Sequence, residues 1–342
     1  MQVIRWVQRR IRAGGFTFAV LWACALSSQE GLIYQDPYVD FLWEAPLNDS
    51  EVASYEGPVE ALLRGFETET GGVIEPGTHA RVALKVYTAS GAGLSTPQGL
   101  VSALADALER RGYQRENIFI VDYDTRGLRA TGYIGPLSVG SYRFDGMPVI
   151  ALDEGEHFDK IWFYDNALPP RRPRSFSSSP ILAEERSNIL SEEERRSYLP
   201  TPLFLETDFW INLPMFTDHP VMTVNGALVN ASLLAVSNNE RFLKSRATGP
   251  VAVAEIAAIP EIREKWLFSI VSLDTFQYIG GPSFNAHYTR SEPRLWLSTN
   301  PTALDALALD RINQARKEMG FDAVNLKHPL FEYAEALGLG YA

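Results

Sequence analysis

The apolar positions between residues 55 and 125 follow two periods, one typical of a helix and one of a buried strand. Residues 59–72, VEALLRGFETETGG, carry apolar side chains at helical spacing and end at paired glycines, which predicts an amphipathic helix. Residues 81–88, RVALKVYT, are mostly apolar and β-branched, as in a strand covered on both faces. A glycine-rich loop, a helical pattern over residues 98–111 and the run NIFIVDYD follow. This order predicts a right-handed parallel βαβ unit.

The rest of the chain continues this alternation of strands and helices. Further strands are predicted at MPVIALD, DKIWFY, DFWINLPMF, WLFSIVSLD and RLWLSTN, with helices between them. The pattern therefore predicts an α/β fold, in which a mostly parallel sheet is flanked by helices on both faces as a three-layer sandwich.

Two segments interrupt the pattern. Residues 169–200 are rich in proline, serine and charge, which predicts an exposed insertion within a single α/β domain spanning residues 27–342. Residues 1–26 contain four arginines, then the apolar run FTFAVLWACAL with the small-residue pattern ACA. This arrangement is typical of an export signal.

Export would place the mature chain in a periplasm or beyond. The membrane would then be reached only through an uncleaved signal or a lipid attached to Cys24. The alternative is that residues 1–26 form a structural first helix, which would leave the chain in the cytoplasm.

Charge and cysteine content narrow the class of partner. A net charge of −11 argues against a nucleic-acid partner, because phosphate binding draws on clustered lysine and arginine. The single cysteine, Cys24, excludes a CxxC zinc site and a cysteine-ligated iron–sulfur cluster. Any metal would need histidine, aspartate or glutamate ligands.

Polar side chains follow one predicted strand at its carboxyl end, where ligands bind in open parallel sheets. Asp218 and His219 follow the predicted strand DFWINLPMF and are separated from it by Thr217. His219 is a candidate acid–base group that Asp218 would orient; alternatively, His219 caps the turn before Pro220 and Asp218 favours the strand exit for backbone reasons. Asn225 and Asn230 would bind a ligand, or would satisfy the backbone of their own loop.

Lys85 is the third catalytic candidate. It lies on an otherwise apolar strand, so its ammonium group must pair with a carboxylate or meet an anion. An ion pair with Asp122 on the neighbouring strand is the alternative. Asp122, Asp274 and His219 are the candidate ligands of a divalent metal.

Two strand-exit turns complete the candidate ligand site. Gly280 and Gly281 would allow a close approach to a ligand, or would make a tight turn with positive φ. Thr299 and Asn300 would contact a ligand, although Asn300 before Pro301 is also a typical helix N-cap.

Four longer stretches stand in a particular order along the chain. They are RVALKVYTASG with STPQGLVSALADALERRGY and IFIVD; TDFWINLPMFTDHPVMTVNGALVNAS; SIVSLDTFQYIGGPSF; and LWLSTNPTALDALALDRI with GLG. Together they resemble the bacterial and archaeal family called domain of unknown function 362, over residues 55 to 340. The resemblance implies a polar pocket retained here as Lys85, His219, Asn230, Asp274 and Asp305.

The chain also departs from that family's pattern. Thr217 and Val229 stand where the family typically has lysine, and Asn300 stands where it has aspartate. Some members carry cysteine clusters like those of ferredoxins, which this chain lacks.

Two functions fit these observations. The first is an exported enzyme that uses acid–base or metal-assisted chemistry on a small polar or anionic molecule. The second is a non-catalytic protein that binds a solute or partner at an altered family site. A homodimer built on exposed aromatic residues is compatible with either function.

Overall fold

The structure is a computed structural model that describes residues 31–35, 41–47, 54–168, 192–325 and 327–342. The predicted export signal, including Cys24, lies outside the described residues, as do residues 169–191 of the predicted insertion. Residues 192–200 form a short helix and a strand. No helix within the described ranges combines the length and apolar character needed to cross a membrane.

The described residues form three sheets. The strands are β1 (Gly31–Gln35), β2 (Phe41–Pro46), β3 (Val82–Lys85), β4 (Ile118–Asp122), β5 (Tyr142–Phe144), β6 (Met147–Ala151), β7 (Phe158–Asp165), β8 (Arg196–Pro200), β9 (Phe209–Asn212), β10 (Thr217–His219), β11 (Thr223–Asn225), β12 (Trp266–Ser272), β13 (Phe276–Gln277), β14 (Thr289–Arg290) and β15 (Arg294–Ser298). The large sheet has the order β1-β2-β15-β12-β9-β3-β4-β6-β5. A smaller sheet has the order β11-β10-β13-β14, and β7 pairs with β8.

The large sheet is mixed, so the expectation of a mostly parallel sheet is wrong. Strands β12, β9, β3, β4 and β6 run parallel to their neighbours in that series. The pairs β1–β2, β2–β15, β15–β12 and β5–β6 are antiparallel. The β5–β6 pair is antiparallel because a tight two-residue turn joins the two strands. Both turn residues, Asp145 and Gly146, have positive φ, as such a hairpin requires. Strands β7 and β8 lie outside this sheet, although DKIWFY resembles its members in composition.

Helices connect the strands as the α/β prediction requires. They are α1 (Glu56–Thr70), α2 (Gln98–Arg110), α3 (Thr125–Ala130), α4 (Glu192–Arg195), α5 (Thr201–Phe204), α6 (Ala227–Ala231), α7 (Gly249–Ala257), α8 (Pro260–Arg263), α9 (Pro301–Glu318) and α10 (Pro329–Ala336). Short 3-10 turns cover Arg115–Asn117 and Ala286–Tyr288. An α/β fold is thereby confirmed.

Alternate residues of β3 enter different hydrophobic clusters. Val82 and Leu84 pack in a cluster with side chains of α1 and α2, whereas Ala83 belongs to a cluster with side chains of α7. This division follows from the two-residue period of a strand, which sends successive side chains to opposite faces of the sheet. Helix α1 buries Val59, Leu62, Leu63 and Phe66 at helical spacing.

The small sheet continues the chain beyond the carboxyl ends of two strands of the large sheet. Strand β10 begins five residues after β9 ends, and β13 begins four residues after β12 ends. Strands β10 and β11 form an antiparallel pair in which Thr217 faces Asn225, Asp218 faces Val224, and His219 faces Thr223. This β10–β11 hairpin is the scaffold of the site described next.

Candidate functional site

A cavity of about 370 Å³ opens beside the β10–β11 hairpin. Residues from the hairpin, from the loop before α7, from α9 and from the segment before α10 line it. They are Asp218, His219, Pro220, Val221, Thr223, Arg246, Arg316, Val324 and His328. Of the residues predicted for the site, only Asp218 and His219 lie at this cavity.

His219 is held as a neutral imidazole. Its Nδ1 atom accepts hydrogen bonds from the amides of Val221 and Met222, both at 3.1 Å. An accepting Nδ1 carries no proton, so the neutral ring carries its proton on Nε2. Burial, with a smaller contribution from nearby His328, lowers the pKa of His219 to about 4.

This geometry leaves Nδ1 of His219 engaged, so the acid–base and metal-ligand roles of His219 stay predictions. A general base needs a nitrogen lone pair that faces the substrate, but Nδ1 is taken by two amides and Nε2 bears the proton. His219 does cap a turn, as the alternative predicted, but the amides that it binds follow Pro220 instead of preceding it. The side chain is 7% exposed and lines the cavity, where its Nε2–H group serves as a donor.

Asp218 binds a glycine turn instead of orienting His219. Its carboxylate accepts hydrogen bonds from the amides of Gly280 at 3.2 Å and Gly281 at 2.8 Å. Gly280 has φ of +88°, so the predicted tight turn is confirmed. A Cβ atom at Gly281 would lie 2.0 Å from the hydroxyl of Thr217, which makes glycine necessary there. The amides of this turn are therefore occupied by the protein itself.

Thr223 lies across the hairpin from His219 in an uncommon backbone conformation. Its φ is +69°, and the amide of Val224 donates to the carbonyl of Met222 at 2.7 Å. These two features define a γ-turn with positive φ, which is rare for a β-branched residue. The side chain is 6% exposed. Within the described residues its hydroxyl is neither hydrogen bonded nor sealed from solvent, and Thr223 is one of the residues that line the cavity.

Two arginines supply positive charge to the cavity. Arg316 is anchored through the carbonyls of Asp322 at 2.7 Å and Tyr278 at 3.0 Å, and its guanidinium lies 3.7 Å from the carboxylate of Asp218. Arg246 is exposed. It makes no ion pair or hydrogen bond with the part of the chain that the structure describes. Its charge is thus available to a ligand.

His328 is a structural cap at the cavity wall. Its Nδ1 atom accepts the amide of Leu330 at 3.2 Å at the start of α10. Burial lowers the pKa of His328, whereas a hydrogen bond with the backbone of Val221 raises it. His219 and His328 share one local arrangement. Each precedes a proline, and each accepts the backbone amide two residues further on.

Lys85, Asp122 and Asn230 form a separate buried network. The ammonium group of Lys85 donates to Asp122 at 2.7 Å, to the carbonyl of Val86 at 2.9 Å and to the side chain of Asn230 at 3.0 Å. All three of its protons are used, and the side chain is 0% exposed. The second oxygen of Asp122 accepts the hydroxyl of Thr88 at 2.6 Å. The predicted ion pair is confirmed, and the catalytic role predicted for Lys85 is left without an accessible amine.

The remaining predicted residues are distributed among other contacts. Asn225 is buried beside the hydroxyl of Tyr87. Asn300 caps α9 by accepting the amide of Ala303 at 2.8 Å, as its alternative assignment predicted. Thr299 lines a second cavity of about 290 Å³, and Asp274 lies 3.5 Å from the hydroxyl of Ser291.

The three metal-ligand candidates do not meet. Within the described ranges, no three histidine, cysteine, aspartate or glutamate side chains are grouped as metal ligands. Asp122 is taken by Lys85, and Nδ1 of His219 is taken by backbone amides. Within the described residues the structure therefore does not bring Asp122, Asp274 and His219 together as one ligand set.

Sequence reasoning missed Thr223, Arg246, Arg316 and His328. One signal pointed to His328, since the dipeptide His-Pro occurs twice, at His219-Pro220 and at His328-Pro329. The arginines lie on a loop and a helix far from the hairpin in sequence, and no spacing connects them to it. The sequence gives no sign of the positive φ of Thr223, because β-branched residues rarely adopt it.

Comparisons with known proteins add no functional information. No protein-family model and no curated protein matches the chain. Three chains among the solved structures match. One is a crystal structure of a Thermotoga maritima protein with 13% identity and a TM-score of 0.34, where the match covers 67% of this chain and 52% of that one. The chain thus spans about half the length of that protein, and a likeness this weak carries no argument about function.

Proposed function

We propose that this chain binds a small anionic solute in the cavity beside the β10–β11 hairpin, without carrying out chemistry on it. The observation that carries the proposal is that one cavity is lined by Arg246, Arg316, His219 and Thr223. Two cationic and two neutral donors face the same space. Donors of this kind bind carboxylate and phosphate oxygens.

The non-catalytic reading rests on the occupied proton acceptors. Nδ1 of His219 accepts two amides, and both oxygens of Asp218 accept the amides of Gly280 and Gly281. The ammonium of Lys85 is buried in its own network. A proton acceptor at the cavity would therefore be a group that already accepts hydrogen bonds from the protein, either Nδ1 of His219 or the carboxylate of Asp218.

We propose in addition that the chain is a divergent, exported relative of the domain of unknown function 362 family. The four ordered sequence stretches support the kinship, and the arginine-rich, apolar amino terminus supports export. The two hydrophobic clusters that share alternate residues of β3 support a three-layer arrangement of helices on both faces of the sheet. Replacement of the family's lysines by Thr217 and Val229 fits a site whose ligand differs from that of its relatives.

Calorimetric titration of the purified protein with small anions tests the binding proposal. The variant Arg246→Gln removes the arginine that has no partner among the described residues. Its affinity should fall at least about tenfold, the size of one lost charge-assisted hydrogen bond. Arg143→Gln is the matched control, because Arg143 is also exposed and, among the described residues, its guanidinium hydrogen bonds to the carbonyl of Gly146 alone. Equal affinities in the two variants, or no anion binding by the unmodified protein, would contradict the proposal.

A further inference from the structure

The charge of the cavity wall limits the charge of its ligand. Arg246 and Arg316 contribute two positive charges, and Asp218 contributes one negative charge 3.7 Å from Arg316. The imidazoles of His219 and His328 each accept a backbone amide at Nδ1 and are counted here as neutral. The wall therefore has a net charge of +1, which balances a monoanion but leaves a dianion in excess and close to a carboxylate.

The neutral donors are placed to share one ligand group. His219 and Thr223 are paired in the register of the hairpin, and both residues line the cavity. The γ-turn at Thr223 gives the residue a backbone direction that an ordinary strand residue lacks. Two neutral donor groups on paired residues suit the two oxygens of a carboxylate, and Arg246 on the same cavity adds positive charge.

The same cavity has an apolar side. Pro220, Val221 and Val324 line it beside the polar groups. We therefore expect a ligand that carries an apolar group as well as a charge. The apolar group would contact these three side chains, which a fully hydrated ion would leave exposed to water.

We infer that the ligand is a small monocarboxylate with an apolar body, and that the hydroxyl of Thr223 helps to bind its carboxylate. This inference rests on the proposed anion-binding function and specifies it. It makes Thr223 a residue that determines specificity, since a hydroxyl without a partner in the described protein gains one from the ligand.

Three probes separate this inference from the broader proposal. Isobutyrate is a branched monocarboxylate, isobutyramide is its uncharged counterpart, and inorganic phosphate at pH 7.5 is mainly a dianion. Calorimetric titration should show isobutyrate binding at least about tenfold more tightly than phosphate and isobutyramide. Tighter binding of phosphate, abolished by Arg246→Gln, would overturn the inference while upholding the anion site. Binding of neither anion would overturn both.

Two variants test the role of Thr223. Thr223→Val keeps the β-branched shape but removes the hydroxyl, and isobutyrate affinity should fall about tenfold. Thr223→Ser keeps the hydroxyl, and its affinity should stay within about threefold of the unmodified protein. Thermal unfolding midpoints check that both variants are folded. Unchanged affinity in Thr223→Val, or an equal loss in folded Thr223→Ser, would overturn the assignment of Thr223.

Discussion

At the scale of single residues, hydrogen bonds decide what each polar side chain can do. Histidine is a common catalytic base, but two backbone amides at 3.1 Å fix the Nδ1 atom of His219 as an acceptor. Lysine can serve as a catalytic amine, but the ammonium group of Lys85 donates its three hydrogen bonds to Asp122, Asn230 and the carbonyl of Val86. In both cases the protein itself occupies the group that a substrate would need.

The neutral state of His219 predicts a loss of stability in acid. The unfolded chain takes up a proton near the ordinary histidine pKa of 6.5, whereas the folded chain takes it up near the lowered pKa of about 4. The free energy of unfolding therefore falls as pH drops through this interval, by about 2 kcal/mol between pH 7 and pH 5 for this residue. Urea denaturation at the two pH values measures it.

His219→Asn is the control for this acid effect. The Oδ1 atom of asparagine can replace Nδ1 as the acceptor of the amides of Val221 and Met222, but it does not titrate. The variant should lose less stability between pH 7 and pH 5 than the unmodified protein, by about the same 2 kcal/mol. Identical losses would show that His219 is charged, or equally accessible to protons, in the folded state.

The buried ion pair predicts a stability effect without a binding effect. Lys85→Met leaves Asp122 buried without its counter-charge, and the free energy of unfolding should fall by about 3–5 kcal/mol. The double variant Lys85→Met/Asp122→Asn should recover part of that loss. In whichever variant stays folded, affinity for small anions should remain within about twofold. Loss of anion binding in a folded variant would instead place Lys85 in the ligand site.

At the scale of elements, one buried carboxylate connects helix α9 to helix α6, which follows the hairpin directly. Asp305 on α9 is fully buried and accepts the amides of Ala227 at 2.6 Å and Leu228 at 3.0 Å. These amides begin the short helix α6, directly after β11. Burial raises the pKa of Asp305 to about 7, and the two amide hydrogen bonds oppose that rise. Gly226 has no room for a side chain here, since a Cβ atom would lie 2.2 Å from Asp305.

Removal of this carboxylate should destabilise the protein more than removal of an exposed one. Asp305→Ala leaves the amides of Ala227 and Leu228 buried without acceptors, which should lower the free energy of unfolding by about 3 kcal/mol. Asp322→Ala, at an exposed position, should change it by less than about 0.5 kcal/mol. Chemical denaturation of both variants measures the difference, and equal effects would show that α6 needs no cap from α9.

Local patterns predicted the elements but not their directions. The helical period of residues 59–72 appears as α1 (Glu56–Thr70), and the apolar run around Leu84 appears as β3. Strand direction depends on which strands pair, and the antiparallel strand β15 is nearly as buried as the parallel strand β3. The sequence therefore predicted an α/β fold and missed the mixed sheet.

The sequence predicted the location of the candidate site better than the residues that line it. The rule that ligands bind beyond the carboxyl ends of strands pointed to Asp218 and His219, and both line the cavity. The same rule added Lys85 and Asn230, because spacing alone does not show that they satisfy each other. Arg246 was missed because a lone arginine in a loop has no distinguishing pattern.

At the scale of the whole molecule, an acidic protein carries a locally positive cavity. The chain has a net charge of −11, yet the cavity wall combines two arginines with one aspartate. The β10–β11 hairpin that holds this wall continues from β9, near the centre of the large sheet. A central position gives the hairpin a firm base, because strands paired on both sides are the last to open.

Hydrogen exchange should show this gradient across the large sheet. The amides of β3, which pairs with β4 and β9, should exchange at least about a hundredfold more slowly than those of β5, which pairs only with β6 within the described residues. Exchange measured by mass spectrometry on peptides from both strands tests the expectation. Similar rates in β3 and β5 would contradict the strand order.

The most direct test of the anion site is nuclear magnetic resonance of the His219 ring during a titration with isobutyrate and, separately, phosphate. The chain has five histidines, so the variant His219→Asn assigns the signal. We predict a neutral ring with its proton on Nε2 at pH 7, whose Nε2–H resonance shifts saturably with at least one of the two anions and requires at least about tenfold more of it in Arg246→Gln. A proton on Nδ1, or a His219 signal that neither anion moves, would contradict the account.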